Sequence, residues 1–188
     1  MHSDACMMRH DRRLDNVATE GELDMIEYRM AKKDDVEALT PLIMQFKNEL
    51  SGFMGRQKPF EKARAKKECE EYIEGPFAVY VAEKPDKTLV GYIVCRISGD
   101  VVFAESLYVL EDYRRQGIGS RLYDLAEALA MKKGNETLYN WIHPNNDGVI
   151  ALLKSKGYTT LNLIENRKPL REESTKGTIK VGNHTYDY

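Results

Sequence analysis

Between Leu107 and Leu122 the chain passes from the apolar run Leu107-Tyr108-Val109-Leu110, through Glu111-Asp112-Tyr113-Arg114-Arg115-Gln116, to Gly117-Ile118-Gly119-Ser120 and the first turn of a helix. A strand that feeds a helix through two glycines builds a phosphate cradle. Glycine lets backbone approach a ligand without Cβ interference, and the first amides of a helix have no acceptor within it. The positive end of the helix dipole stands behind those amides. Arg114, Arg115 and Arg121 add guanidinium groups whose paired donors suit phosphate oxygens. A dinucleotide fingerprint needs a third glycine where Leu122 stands, and a P-loop needs lysine followed by serine or threonine after its second glycine. Neither is present.

The 188 residues, 42% hydrophobic and 31% charged, suit one domain with one sizeable core. A net charge of −2 leaves no electrostatic footprint for nucleic acid, and no apolar stretch approaches a membrane span. Cys6, Cys69 and Cys95 are widely spaced and form no Cys-x-x-Cys pair, which argues against a disulfide framework or structural zinc and for a reducing, cytoplasmic setting. Residues 1–24 are charged and poor in aliphatics, and read as an N-terminal extension to a domain spanning 25–188. His2, Cys6 and His10 would share one face of a helix there, but the segment reads as irregular and no metal site is assigned.

Periodicity and punctuation divide the domain. Met25–Met30 reads as a strand. Asp34 or Asp35 caps a helix striped by Val36, Leu39, Leu42, Ile43, Phe46 and Leu50, which Ser51–Pro59 ends. Phe60–Glu74 is a charged helix closed by Gly75-Pro76. Phe77–Glu83, Leu89–Ile97 and Val101–Leu110 form an antiparallel meander. After the cradle come a helix ending near Gly134, a strand at Thr137–Ile142, a short helix at Asn146–Lys156, a strand at Tyr158–Ile164 and a last strand at Thr178–Val181.

Arg114-x-x-Gly117-x-Gly119 after a Leu-Tyr-Val strand resembles the pyrophosphate-binding motif of the GCN5-related N-acetyltransferase (GNAT) superfamily. Further on, Asn146, Leu152, Gly157 and Tyr158 are similar to positions of its Asn-x-x-Ala-x-x-Phe-Tyr-x-x-x-Gly-Phe pattern. The resemblance implies an α/β (α+β) fold: a central mixed, mostly antiparallel sheet of about six to seven strands flanked by about four helices. It implies acetyl-CoA as acyl donor and an amine as acceptor. The backbone of Leu107, Tyr108 and Val109 would pair with the pantetheine arm, and the Val109 N–H would polarise the thioester carbonyl. Amides from Arg115, Gln116, Gly117, Ile118, Gly119 and Ser120, beside Arg114, would take the pyrophosphate. Asn146 would contact the coenzyme, or serve only as a helix cap.

Glu105 is the candidate general base. It stands among Val101, Val102, Phe103, Ala104, Leu107, Tyr108, Val109 and Leu110, where desolvation favours the protonated carboxyl, and it resembles the catalytic glutamate of spermidine/spermine and thialysine acetyltransferases. The alternative is a carboxylate at the wet end of the strand or paired with a nearby Arg or Lys. Leu153 stands where many relatives carry the tyrosine that protonates the departing thiolate, so Tyr108, Tyr139, Tyr158 or water takes that part, or no acid is used. Trp141 stands where several peptide-acetylating relatives carry a base, and indole cannot serve. His143 reads as a structural or solvated group rather than a base.

The expected activity is transfer of acetyl to a primary amine by direct attack in a ternary complex. The acceptor lid would include Phe53, Met54, Arg56 and Lys58, whose cationic members disfavour a polyamine unless Glu49, Glu61 and Glu105 compensate. A catalytically weak acyl-CoA-binding regulatory module is the alternative, and a nucleotide or phosphoribosyl binder using the same cradle is a third. Alternation of Ile179, Val181, Tyr186 and Tyr188 suggests an edge strand and a homodimer.

Overall fold

The computed structural model describes residues 25–55, 58–169, 175 and 177–188. The N-terminal extension with His2, Cys6 and His10, and Arg56 of the lid loop, lie outside the described residues. Strand β1 (Glu27–Met30) leads through a 3-10 turn (Lys33–Asp35) into helix α1 (Val36–Phe53), followed by α2 (Lys62–Glu74). Strands β2 (Phe77–Glu83), β3 (Leu89–Ser98) and β4 (Val101–Val109) follow, then α3 (Ile118–Lys132), β5 (Tyr139–Asn140), α4 (Asp147–Ser155), β6 (Thr178–Val181) and β7 (His184–Asp187). The main sheet has the order β1-β2-β3-β4-β5, antiparallel throughout except that β4 and β5 run parallel.

The meander reads as nearly unbroken apolar sequence because both of its faces are covered. Along β3 the side chains divide between two cores, alternating from Gly91 onward after a register shift at Val90. Val90, Ile93 and Cys95 pack with Ile118, Leu122, Tyr123 and Ala126 of α3, while Leu89, Tyr92 and Val94 pack with Leu39, Leu42 and Ile43 of α1 and Cys69 and Tyr72 of α2. The period of two in the strands therefore sorts each residue to one helical layer.

The alternation slips once in β4. Val94 is opposite Ser106 but Cys95 is opposite Ala104, which leaves Glu105 as the extra residue of a β-bulge. Val102 and Ala104 before it and Leu107 and Val109 after it all face the α3 layer, so the bulge shifts the phase of the strand by one residue. Pairing with β5 stops here, at Phe103↔Tyr139 and Ala104↔Asn140. A bulge bends and twists its strand, and from Glu105 to Val109 the outer edge of β4 runs free of β5.

Two segments differ from the sequence expectation. The strand at Thr137–Ile142 is reduced to Tyr139–Asn140, because the bulge at Glu105 bends β4 away from it and pairing stops there. Tyr158–Ile164 forms no strand: Tyr158 is packed, but Leu161 is 68% and Leu163 77% exposed. Thr178–Val181 is a strand as expected, and it pairs with His184–Asp187 in a separate two-stranded sheet. The seven strands of the described residues are thus divided five and two. Helix α1 also runs past Ser51 to Phe53, ending where Gly55 adopts φ 71°.

Burial pushes the thiols of Cys69 and Cys95 up to about 12. A raised folded-state value means that the neutral thiol is preferred. The stability this contributes is complete below the ordinary thiol range near 9 and is lost as pH rises from there through about 12. In a Cys6→Ser background we expect both thiols to react with a disulfide reagent at pH 8 at least about 100-fold more slowly than in urea, since only the exposed thiolate reacts.

Candidate active site

A cleft of about 650 Å³ opens where β4 leaves β5. One wall is Leu107, Tyr108 and Val109 at the end of β4. The floor is the turn into α3, with Arg114, Arg115, Gly117, Gly119 and Ser120. The far wall is the N-terminal half of α4 and the loop before it, including Asn145, Asn146, Val149 and Leu152, and α1 closes the top with Phe46, Glu49 and Phe53.

The amides of that wall point the right way for a ligand strand. Leu110 N–H donates to Val90 O at 2.9 Å, and the register places Tyr108 opposite Tyr92, with Val109 opposite Gly91. In an antiparallel pair, alternate residues exchange bonds with their partners and the intervening ones turn their amide and carbonyl outward. Leu107 and Val109 are the intervening ones. Their backbone groups face the edge that β5 has vacated, and the Val109 carbonyl on that side accepts from Arg114 Nε at 2.8 Å.

The floor is an opening helix turn. Gly117, at the N-cap of α3, adopts φ 82°, and Arg115 adopts φ 62° despite its side chain. Positive φ in a non-glycine residue marks a locally strained turn, here one that bends the backbone under the cleft. The first bond of the helix runs from Arg121 N–H to Gly117 O at 3.0 Å, so the amides of Ile118, Gly119 and Ser120 have no intrahelical acceptor. A Cβ on Gly119 would approach Val109 Cγ2 at 3.7 Å and Leu152 Cδ2 at 3.8 Å, spanning the cleft from wall to wall.

The predicted residues divide by where their side chains go. Arg115, Gly117, Gly119 and Ser120 line the cleft. Ile118 is 1% exposed and belongs to the core, so only its amide is available. The Gln116 side chain donates to Asp112 O at 2.9 Å and closes the turn. Arg114 lines the cleft but is turned inward: besides Val109 O it binds Glu49 at 2.5 Å, and its guanidinium carbon lies 5.2 Å from the Tyr108 ring centre. It ties the strand end to α1. Arg121 is exposed and lies 4.0 Å from Asp124, outside the cleft. Asn146 caps α4, its Oδ1 accepting the Val149 N–H at 3.2 Å, and also lines the cleft.

Among Tyr108, Tyr139 and Tyr158, only Tyr108 lines the cleft. Its hydroxyl donates to Gln45 Oε1 at 3.0 Å, and burial, reinforced by Glu49 and opposed by Arg114, raises its pKa above the ordinary tyrosine value. It is therefore protonated at neutral pH. Tyr158 donates to Glu127 at 2.9 Å on the α3 side, and the Tyr139 ring packs at a tilt of 38° against Phe103. Leu153 is 3% exposed in the core, so that position faces away from the cleft.

Glu105 sits just beyond the cleft wall, two residues and roughly 7 Å of strand from Leu107. Its Oε2 accepts from Arg96 Nε at 3.3 Å, and both side chains are between a quarter and a third exposed. The Arg96 guanidinium is held between Phe103, at 4.4 Å, and the exposed ring of Trp141, at 4.5 Å. His143 stacks on Phe53 with ring centres 6.1 Å apart, and its Nδ1 accepts the Asn145 amide at 3.2 Å. Asn145 in turn donates to Phe53 O at 3.2 Å, which joins the two walls over the top of the cleft. Gln45, Arg96 and Asn145 were not among the predicted site residues, and Glu49 was expected only as a compensating charge near the acceptor lid. Arg96, a lone cation in an apolar strand, was the one with a visible signal.

A splayed mixed sheet with outward strand amides on one side and a bare helix N-terminus on the other defines the class of acyl-coenzyme A-dependent transferases. The model of the acetyltransferase (GNAT) family matches residues 37–158, and the chain belongs to that family. It is an acetyl-CoA-dependent N-acyltransferase. Among solved structures it is similar to the aminoglycoside N-acetyltransferase AAC(6')-Iy in complex with a bisubstrate analogue, with 19% identity, TM-score 0.62, and 77% of this chain and 99% of that chain covered. It is also similar to a possible acetyltransferase from Clostridium difficile 630, at 17% identity, TM-score 0.64 and coverage of 78% and 98%. A third is the aminoglycoside antibiotic 6'-N-acetyltransferase AAC(6')-Ih from Acinetobacter baumannii, at 15% identity, TM-score 0.62 and coverage of 77% and 99%. No described helix is long and apolar enough to cross a membrane.

Proposed function

We propose that the chain transfers acetyl from acetyl-CoA to a primary amine of a small molecule or peptide by direct attack in a ternary complex. The observation that carries this reading is the meeting, in one cleft, of outward amides at Leu107 and Val109 with the unbonded amides of Ile118, Gly119 and Ser120. The first pair suits an amide-bearing arm, and the second suits a diphosphate. The orphan donors and the missing side chain at Gly119, between Val109 and Leu152, fit acetyl-CoA. Holding donor and amine together supplies much of the rate, since effective molarity in oriented reactions is worth about 7–11 kcal/mol.

The residues then have these parts. Glu105 takes the proton that the ammonium must lose, with Arg96 fixing its carboxylate. The Val109 N–H polarises the thioester carbonyl. As the amine nitrogen bonds to the carbonyl carbon and the carbon–sulfur bond breaks, Tyr108 hands its proton to the thiolate, the nitrogen releases its second proton to water, and water returns a proton to Tyr108 while the proton held by Glu105 leaves to solvent. Asn146 borders the coenzyme while capping α4. Aminoglycosides, the substrates named for similar structures, belong in the acceptor panel beside amino acids, peptides and simple amines. We further propose a cytoplasmic homodimer whose catalytic domain begins after residue 24.

Acetyl-CoA at about one hundred times its dissociation constant should add about 2.7 kcal/mol to stability, a clear rise in melting temperature that ATP and NAD do not produce. Thiol release over the amine panel then reports transfer. No shift with acetyl-CoA removes the reading. A shift without thiol release from any amine favours the alternative of a regulatory acyl-CoA-binding module, which the inward position of Leu153 would suit.

A further inference from the structure

Arg96 is the single charged residue of β3. It follows Val94 of the α1–α2 layer and Cys95 of the α3 layer, so its side chain leaves the sheet on the α1–α2 face, with Phe77 and Phe103 opposite it on the two neighbouring strands. Its guanidinium carbon lies 4.4 Å from the Phe103 ring centre and 4.5 Å from that of Trp141, and those two centres are 5.3 Å apart. The cation thus rests in the angle between two adjacent rings, which fixes its plane and leaves the side chain 28% exposed. Among the described residues only the Nε of its five donors is used, toward Glu105, and neither Nη group has an acceptor.

A guanidinium held in plane with its forked end unpaired is a receptor for a carboxylate, which accepts both parallel bonds. The ring contacts have already removed rotamer freedom that binding would otherwise cost. The fork also stands beside the group that takes the acceptor's proton, since Arg96 Nε and Glu105 Oε2 are 3.3 Å apart. One acceptor reaches both only if its amine and its acid are separated by a few bonds. A diamine or an aminoglycoside has no carboxylate for the fork and would bring further cations beside Arg96, where like charges repel. The sequence of the lid loop, Ser51–Pro59, has the same preference, with Arg56 and Lys58 and no acidic residue.

We propose that the acceptor is a free α-amino acid, its carboxylate held by the Nη groups of Arg96 and its amine directed at Glu105. The inference rests on the acyl-transfer reading given above and adds the acceptor class to it. The bond changes are the same: the α-nitrogen bonds to the acetyl carbon, the carbon–sulfur bond breaks, and the products are an N-acetylamino acid and coenzyme A. Arg96 then has two edges with two tasks, Nε fixing the base and the fork selecting the substrate. Trp141, whose indole has no basic nitrogen, serves by holding the fork in place.

The test measures thiol release by the full chain with amino acids of small, apolar, acidic and basic side chains, each beside its own α-amide, and with a diamine and an aminoglycoside. The amine of an α-amide is the less basic of each pair and so more often unprotonated, which means that a preference for the acid does not come from amine reactivity. The best acid should exceed its amide at least about tenfold in kcat/KM, the effect of a charge-assisted pair. Arg96→Gln should bring that ratio to within about twofold of one, chiefly by raising KM for the acid, and Arg96→Lys should keep part of the preference. The ratio is read within one variant, so lost stability or a misaligned Glu105 lowers both acceptors and leaves it unchanged. Amides, the diamine or the aminoglycoside used as well as the acids would overturn the inference and leave acyl transfer standing. A preference for the acid that survives in Arg96→Gln overturns the assignment to Arg96. Thiol release from no acceptor, with the melting shift by acetyl-CoA retained, removes the transfer reading and this inference together.

Discussion

Replacing Glu105 by glutamine should lower turnover by about 10²–10⁴, the range for loss of a positioned general base, while leaving acetyl-CoA affinity unchanged. Glutamine keeps the shape and accepts a hydrogen bond from Arg96, so the β4 bulge is preserved and only proton acceptance is lost. Glu105 is absent from the cleft lining, which is why donor binding should not respond. The informative companion is Arg96→Gln. If Arg96 acts through Glu105, this variant costs less in turnover than Glu105→Gln. Steady-state rates over pH, with acetyl-CoA affinity measured separately, check both. Turnover of Glu105→Gln within a few-fold of wild type would return Glu105 to the simpler role of a strand carboxylate paired with Arg96.

The second large effect separates the two cradle glycines. Gly117 has open space around its missing Cβ but sits at φ 82°, so Gly117→Ala should fold with about 1–2 kcal/mol less stability from left-handed strain. Gly119 has an ordinary helical position, and its missing Cβ faces the cleft between Val109 and Leu152. Gly119→Val should therefore stay folded, with a branched side chain standing in the path proposed for the donor. Its acetyl-CoA affinity should fall at least tenfold, about 1.4 kcal/mol. Denaturant titration and calorimetric binding on both variants give the two numbers. Equal affinity in Gly119→Val and wild type would mean that the donor does not pass between these walls.

Much of this protein is legible in local sequence. The Leu107–Leu122 run announces a strand, a tight turn and a helix start, and these form as expected, with Gly117 at the left-handed cap. The stripe from Val36 to Leu50, the meander and the Asn146 cap are likewise there, because turns, caps and hydrophobic period depend on residues a few positions apart. Other features depend on which strand lies opposite which. Glu105 is the bulge residue only because Cys95 pairs with Ala104, an offset that no property of Val101–Val109 alone reveals. The same offset turns Tyr108 toward Gln45 and the cleft. Leu153 and Leu152 read alike as helical leucines, yet packing against α3 takes one inward and leaves the other on the cleft wall.

Tyr158–Ile164 shows the limit most plainly. Its composition favours a strand, but a strand needs an edge to pair with, and the fold of one chain gives this segment none. By itself the sequence determined the helical stripes, the meander and the two-glycine turn into α3, which arise from short-range sterics and periodicity. Tertiary structure alone decided strand register, the residues that face the cleft and the edges left open, since those are set by contacts between residues far apart in the chain.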